Sequence, residues 1–391
     1  MIIGFAKETF PGERRVALIP SAPAKIKQAG FEYVCESNAG LASGHSDADY
    51  VAKGFRIVES RREVIRQSDV ILYVRGLAAD PLGAKSDLTL FRRGQVIIGM
   101  FDPANSTAEL KALSEIGVTA FALELLPRVT RAQSMDVLSS MATIAGYKAV
   151  LLAANVLPKM FPLLMTAAGT ISPANVFIVG AGVAGLQAIA TAKRLGAVIQ
   201  AYDVRPAVKE QIESLGGKFV ELPLDTNKSD GSGGYAAAMD EEFYRRQREL
   251  MSQIVSKSDV VISTAAIPGK RAPLLITADM VRLMKPGSVI VDLAAEQGGN
   301  CELTKPRETI MIGEVTLIGP VNITSTVPFD ASQMYSRNIA NFLAHLADEQ
   351  GNLKLDSDDQ IIRATLATQP LVAAPDANKP AVTIPNEGGR Q

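Results

Sequence analysis

NVFIVGAGVAGLQAIATAKRLGAVIQAYD, from Asn175 to Asp203, is the stretch that decides the fold. The apolar run Val176 to Val179 suits a strand; a glycine turn, a helix-length segment and a second run, Val198 to Tyr202, follow. In the turn, Gly180, Gly182 and Gly185 stand in GxGxxG spacing. The first glycine permits the tight turn, the second lets the backbone approach a pyrophosphate, and the third lets helix and strand pack closely, while the helix N-terminus faces the phosphates. Asp203 comes 23 residues after Gly180, where a carboxylate accepts hydrogen bonds from an adenosine ribose. In this full strand–turn–helix–strand setting the motif predicts an NAD(H) site on Gly180 to Gly185; the alternative is a glycine turn in an α/β protein that binds nothing. A carboxylate at position 203 repels the extra phosphate of NADP and so favours NAD. Arg205 is expected on the adenine side or in a local ion pair.

Outward from this unit, short apolar runs alternate with helical segments: Ile2 to Ala6, Tyr33 to Cys35, Val70 to Val74, Val96 to Met100 and Val118 to Leu123 before it, and Val260 to Ser263, Val289 to Leu293 and Val315 to Gly319 after it. Runs that are apolar throughout suit parallel strands covered on both faces. The fold class expected is therefore α/β, with two doubly wound Rossmann-like domains, mainly parallel sheets and a cleft between them. A long helical stretch from about Met135 to Leu152 separates the halves, and Gln333 to Leu346 has helical periodicity. Residues 1–134 are read as an N-terminal lobe completed by about 327–350, residues 135–326 as the NAD(H)-binding domain with the helix leading into it, and 351–391 as a C-terminal tail or linker rich in Pro and Ala.

A formal charge of -1, from 40 basic and 41 acidic residues, provides no field for a polyanion, and no Lys/Arg cluster interleaves with aromatics; nucleic acid is not an expected partner. Two cysteines, Cys35 and Cys301, are too few for a disulfide framework or a thiolate metal site, and no metal is expected. Nothing in MIIGFAKETF reads as a secretion signal. The most apolar window, Ala149 to Ile171, is broken by Asn155, Pro158, Lys159 and Pro162 into pieces far shorter than the ~20 residues that span a bilayer.

Other segments carry candidate chemistry. In PRVTRAQSMDVLSS, Gln133, Asp136 and Ser139 recur every three residues and share a face if the segment is helical, with Arg128 in reach; spacing alone equally describes a solvated helix surface. SDGSGGYAAAM, with Gly231, Gly233 and Gly234 before Tyr235, reads either as a closing flap or as an ordinary surface loop. TAAIPGK, Thr264 to Lys270, follows a strand at the sheet edge where doubly wound folds hold ligands. The two histidines, His45 and His345, lie away from these segments and read as surface or packing residues, so the usual agent of proton transfer is missing from the expected cleft. Glu296, or Arg75 with Asp69, are the remaining candidates for such a role.

KETFPGERRVALIP, ELLPRVTRAQSMDVLSS, MTAAGTI, GAGVAGLQAIATAKRLGA, ESLGGKF, GGYAAAM, IPGK and MKPGSVIVDLA together resemble the NAD(H)-binding component of proton-translocating nicotinamide nucleotide transhydrogenase, over about Met1 to Leu346. RAQSMD is the most specific segment; KExxPGExRVAxxP and the Rossmann unit are shared with alanine dehydrogenases, the runner-up family. The resemblance implies a homodimer that exchanges hydride between its NAD(H) and NADP(H) on a partner subunit, mounted with it on a separate membrane-spanning subunit and coupled to proton translocation. It implies a cytoplasmic chain, peripheral on the inner face of the membrane through those partners and active only with them. Carried over residue by residue, Arg128, Gln133, Asp136 and Ser139 would orient the nicotinamide and its ribose and make up the catalytic set. Leu138, Gly182, Val183, Ala184, Asp203, Val204, Arg205, Gly234, Tyr235, Gln247 and Ala266 would line the rest of the NAD site.

Direct hydride transfer between two nicotinamide carbons needs no acid or base, which fits the missing histidine. Alanine dehydrogenases use a histidine and a lysine in the first lobe, where this chain reads VIIGMFDPANS and VILYVRGL, with Met100 or Phe101 and Arg75 instead. An NAD-sensing module without hydride exchange would keep the Rossmann unit but leaves RAQSMD unexplained.

Overall fold

Runs of apolar residues bury on both faces of two parallel sheets, in a computed structural model that describes residues 1–26, 30–222, 241–266, 270–355 and 358–368. Ile2–Phe5, Glu32–Glu36, Phe55–Val58, Val70–Arg75, Val96–Met100 and Thr119–Ala122 are β1 to β6, and they form one sheet in the order β3-β2-β1-β4-β5-β6, parallel throughout. After the short hairpin of β7 (Leu164–Thr166) and β8 (Gly169–Ile171) come Asn175–Val179, Val198–Tyr202, Lys218–Phe219, Val260–Ser263, Val289–Asp292, Thr309–Ile312 and Val315–Ile318, or β9 to β15. These make a second sheet in the order β11-β10-β9-β12-β13-β15-β14, in which β14 alone of the described strands runs antiparallel. In each sheet the order reverses beside the first strand, at β1/β4 and at β9/β12, where the loops beyond the strand ends diverge and open a crevice.

Period-two alternation explains the layering of the second sheet. Val176, Ile178, Val260, Ile262, Val289 and Val291 face one core, and Phe177, Val179, Val261, Ile290 and Leu317 face the other. The strands without a counterpart among the expected runs are peripheral. β3 exposes Arg56, β11 has two residues, and β14, although it holds the short apolar run Ile310 to Ile312, lies at the sheet edge with exposed and half-buried positions alternating. The β7–β8 hairpin lies almost wholly at the surface, with Met165 79% exposed.

Val137–Val156 is a single 20-residue helix joining the two halves. Its first turns place Val137, Met141 and Ile144 in the core of the first sheet, and its later turns place Ala149, Val150 and Ala153 in that of the second. Its length and mean hydropathy of 1.5 match a membrane span. Burial against two different cores gives the apolar character a sufficient reason, because such a helix has no single face to leave polar. Gly146 sits between the two contacts, and a β-carbon there would lie 2.0 Å from the carbonyl oxygen of Ala184 at the start of the next helix, Val183–Arg194.

The helix Pro328–Leu346 returns to the first core with Tyr335, Ile339, Phe342, Leu343 and Leu346. Its Ser332 and Ser336 hydroxyls accept from the Val16 and Ile19 amides, and the Tyr335 hydroxyl donates to the Tyr73 carbonyl at 2.8 Å. The stretch from residue 351 expected to be a tail is corrected in part: Ile361 and Ile362 of the helix Gln360–Thr365 are buried, and the Ala367 amide donates to the Ala120 carbonyl beside β6. In DDQIIRAT the two isoleucines stand among charged and polar residues, so only a pre-existing sheet edge gives them something to bury against. Residues 369–391 lie outside the described residues. Each sheet's main cores hold one cysteine, Cys35 in the first and Cys301 in the second, both free and buried.

Gly146→Ala forces the connecting helix away from the Ala184 backbone. The expected cost is about 1–3 kcal/mol of stability, in the range for overpacking a close contact. Thermal denaturation checks it, and an unchanged midpoint would contradict the close approach.

Candidate functional site

The glycine turn is built by backbone constraints. Gly180 has a φ of 95°, a conformation that only glycine adopts without strain, and its amide donates to the Tyr202 carbonyl at 2.8 Å. Thr264 Oγ1 donates to the Gly180 carbonyl at 3.0 Å, so the loop after β12 buttresses the turn. A β-carbon at Gly185 would lie 1.9 Å from the Gly180 oxygen; this glycine serves close packing behind the turn. At Gly182 a β-carbon would meet nothing within 4 Å, so its face is open. Gly182 caps the helix Val183–Arg194 without a side-chain partner, leaving first-turn amides and the positive end of the helix dipole aimed outward, an arrangement suited to an anion.

A cavity of about 360 Å³ adjoins this turn. Of the residues singled out from the sequence, Gly180, Gly182, Val183 and Ala184 form one wall; Asp203, Val204 and Arg205 another; Arg128, Leu138 and Ser139 a third; and Gln247 and Ala266 complete the lining. Gln133 is exposed and Asp136 is partly buried, and neither is part of the lining. Gly234 and Tyr235 of the expected flap, and Ile267 to Gly269 of TAAIPGK, lie outside the described residues. The cavity also takes in Ala142 and Ala145, which follow Leu138 at helical spacing on the connecting helix, and Pro273, Leu275 and Gln297. Small residues at that spacing are a readable signal for the first pair; the others depend on long-range folding.

The single helical face expected for Gln133, Asp136 and Ser139 does not form. Thr130–Met135 is a 3₁₀ helix that ends before Asp136, and the α-helix starts at Val137 with Asp136 as its cap. The Asp136 carboxylate accepts from the Ser139 amide at 2.9 Å and its hydroxyl at 2.6 Å. A short polar side chain placed just before a helix start satisfies the free amides there in preference to facing outward. Asp136 thus fixes Ser139 on the cavity wall, while Gln133 projects at the surface one turn earlier.

At the far end of the cavity, Asp203 is 7% exposed and already fully engaged. One oxygen accepts from the Ala181 amide at 2.7 Å and Arg205 Nη2 at 2.8 Å; the other accepts from the Arg205 amide and Nε, both at 2.9 Å. Of the two places expected for Arg205, the structure has the local ion pair, and the lone negative charge expected to repel NADP is neutralised by it. Nearby, Gln247 Nε2 donates to the Tyr202 hydroxyl at 2.8 Å, and burial pushes that phenol up to about 12. Gln247 Oε1 is buried with no hydrogen-bond partner among the described residues. A buried acceptor without a donor is costly, and it fits a ligand that brings one.

The floor is held from below by Asp292, buried at the end of β13. Its carboxylate accepts from the Ser263 hydroxyl and from the Asn300 and Cys301 amides. Asn300 then grips Ala265 at both its amide, 3.0 Å, and its carbonyl, 2.8 Å. This registers the loop Thr264–Ala266 against the glycine turn.

Where the loop after β1 meets the second half there is a cluster of charge. Glu13 is buried, which opposes ionisation, but the bidentate Arg15 guanidinium outweighs this and holds the carboxyl at about 2. Arg75 lies 3.8 Å from Glu13 and reaches Glu296 of the second half at 3.2 Å. The suggested pairing of Arg75 with Asp69 is therefore corrected: Asp69 takes Arg92 and the Ile2 amide at the opposite end of β4. Glu8 accepts from the Val74 and Arg75 amides, and burial together with the charge of Glu13 raises its carboxyl to about 8. His45 packs beside Tyr50 and Phe329, and His345 pairs with Asp359 at 3.1 Å; neither lines the cavity.

Residues 4–145 match the family Alanine dehydrogenase/PNT, N-terminal domain, and residues 149–370 match Alanine dehydrogenase/PNT, C-terminal domain. Over 372 residues the chain is 43% identical to the first polypeptide of the NAD(P) transhydrogenase alpha subunit of Rhodospirillum rubrum, covering 94% of this chain and 96% of that protein. It is 32% identical over 305 residues to alanine dehydrogenase of Methanococcus maripaludis, covering 77% of this chain and 74% of that one. The crystal structure of transhydrogenase from Sinorhizobium meliloti has the same fold, with a TM-score of 0.83 at 42% identity, covering 95% of this chain and 99% of the other.

The raised Glu8 carboxyl predicts a pH dependence of stability. A group near 4.5 when unfolded and about 8 when folded stabilises the fold fully below 4.5, and that contribution is lost as pH rises through 8. Glu13 works in the opposite window, its contribution present above pH 4.5 and lost as pH falls toward 2. Denaturant unfolding of the Glu8→Gln variant should therefore show a flatter pH profile between about 5 and 8 than the unsubstituted chain. Parallel profiles would mean that Glu8 is ionised in the folded protein at neutral pH.

Proposed function

This chain belongs to the alanine dehydrogenase/PNT family, and on that premise we propose that it is the NAD(H)-binding subunit of a proton-translocating transhydrogenase, exchanging hydride with NADP(H) held on a partner subunit. One observation carries the reading: the glycine turn and the residues Arg128, Leu138 and Ser139 line one cavity, while Gln133, close to them in sequence, is exposed and not part of the lining. The open face of Gly182 and the unpartnered Gln247 Oε1 fit a dinucleotide along that cavity. When bound, NAD(H) supplies a nicotinamide carbon that gives or takes a hydride.

The chain's own residues then have separable tasks. Amides of Gly182, Val183 and Ala184 hold the pyrophosphate at the helix N-terminus, and Gln247 accepts from the adenosine end. Ser139, fixed by Asp136, and Arg128 orient the nicotinamide end. Gln133 stands outside the cavity, where a side chain can reach a nucleotide presented by another subunit. Among the described lining residues there is no histidine, lysine or cysteine, and transfer between two positioned rings asks for none. Arg15 and Arg75 are paired with Glu13 and Glu296, and Met100 or Phe101 and Arg75 stand where alanine dehydrogenases have a histidine and a lysine, which argues against an alanine dehydrogenase. The remaining parts of the proposal follow the relatives' identity as subunits: a homodimer that sits on the cytoplasmic face of the membrane through a membrane-spanning partner.

Hydride exchange between an NAD analogue and NADP(H) should appear when the chain is mixed with its NADP(H)-loaded partner, whereas alanine, or pyruvate with ammonia, should give no NAD turnover. Steady alanine-dependent NADH formation by the pure chain would reverse the assignment. In Gln133→Asn the amide moves by about one bond, and misplacement on the order of 1 Å in a positioning-dominated reaction costs roughly 100-fold in rate. Stopped-flow transfer should fall by that order while NADH affinity stays within about threefold, the pattern of an interaction used mainly in the transition state. Parallel loss of affinity and rate would make Gln133 an ordinary binding contact.

A further inference from the structure

We propose that Arg205 is an internal competitor for the adenosine ribose site, and that this arginine sets the discrimination between NADH and NADPH. The inference rests on the nucleotide-site reading and deepens it. A carboxylate offers about four lone-pair positions. Those of Asp203 are taken by the Ala181 amide and by three N–H groups of Arg205, one from its backbone and two from the guanidinium in a parallel fork. The pair is well shielded, with side-chain exposures of 12% for Arg205 and 6% for Asp203, so it is neither loosened by water nor screened by salt. Both residues line the cavity.

A ribose diol is a donor of the same kind as the guanidinium fork, and the two compete for the same oxygens. The Ala181 and Arg205 amides are backbone groups of the glycine turn and of the segment after β10 and stay where they are. The guanidinium is the one ligand of Asp203 on a flexible stem. NAD(H) engages the carboxylate by displacing it, and every binding event carries the loss of that forked pair. The same guanidinium, once released at the rim, is the group that receives a 2′-phosphate. Arg205 therefore weakens NADH binding and strengthens NADPH binding, so the preference of the unsubstituted chain is narrower than a carboxylate at position 203 alone would give.

The test is a set of calorimetric titrations on the full chain with NADH, NADPH and NADH lacking the adenosine 2′-hydroxyl, using the unsubstituted protein, Arg205→Met and Arg205→Lys. Arg205→Met should bind NADH about tenfold tighter and NADPH at least about tenfold weaker, the range expected for one hydrogen-bonded contact to a charged group. Removing the 2′-hydroxyl should cost the unsubstituted chain no more than about threefold, because the guanidinium stays in place, and Arg205→Met at least about ten times more, because the carboxylate then has neither the guanidinium nor the 2′-hydroxyl and keeps only its backbone donors. Arg205→Lys keeps the charge but loses the fork, so it is the fallback should the methionine variant fold poorly; its NADH affinity should lie between the other two. Weaker NADH binding in both variants, with equal 2′-hydroxyl penalties throughout, would overturn the inference and leave the nucleotide site standing. No NADH binding by the folded unsubstituted chain would overturn the site itself and the inference with it.

Discussion

Everything in the site depends on how closely one helix can approach another. The absence of a side chain at Gly146 lets Val137–Val156 lie against the Ala184 carbonyl, at the point where the glycine turn becomes a helix. That single helix belongs to both cores, so the contact fixes the first-turn amides of Val183–Arg194 relative to Leu138 and Ser139 at its N-terminal end and Arg128 before it. Close-packed interiors transmit small displacements, and a shift here moves both walls of the cavity together.

Around that contact, polar groups are spent on holding the backbone. Asp292 and Asn300 secure the loop under the turn, Asp136 secures the start of the connecting helix, and Glu13 with Arg15 secures the loop after β1. Arg75, reaching from the end of β4 to Glu296, is the ion pair that crosses between the two halves at the charge cluster. The ionisable groups near the cleft are thus mostly each other's partners. What the cavity's described residues offer a ligand is shape, helix-end amides and the unsatisfied amide oxygen of Gln247, a repertoire suited to holding and orienting a molecule that brings its own reactivity.

The parts legible in the sequence are those whose cause is local. The glycine turn is readable because Gly180, Gly182 and Gly185 each meet a constraint within a few residues, and the central strands because burial on both faces writes an uninterrupted apolar run. The Asp203–Arg205 pair is readable as one of two options, two residues apart. Spacing misleads at Gln133, Asp136 and Ser139, since an every-third pattern does not reveal that a 3₁₀ turn gives way to an α-helix between the first and second of them. Contacts that close over long separations leave no signal: Arg75 with Glu296 spans 221 positions, and the grip of Asn300 on Ala265 joins two loops with no motif of their own. Edge strands such as β3, broken by an exposed arginine, and β11, two residues long, look like loops until a neighbouring strand is present.

The placement of the two thiols has a use beyond packing. Cys35 and Cys301 sit one in each half, and burial raises them to about 12 and about 11. In the folded chain neither is a thiolate or within reach of reagent, so each reacts only when its own core opens. The chain therefore carries two intrinsic reporters of local opening, one per sheet. Their labelling rates under native conditions separate a protein whose halves breathe independently from one in which the shared helix makes them open as a unit.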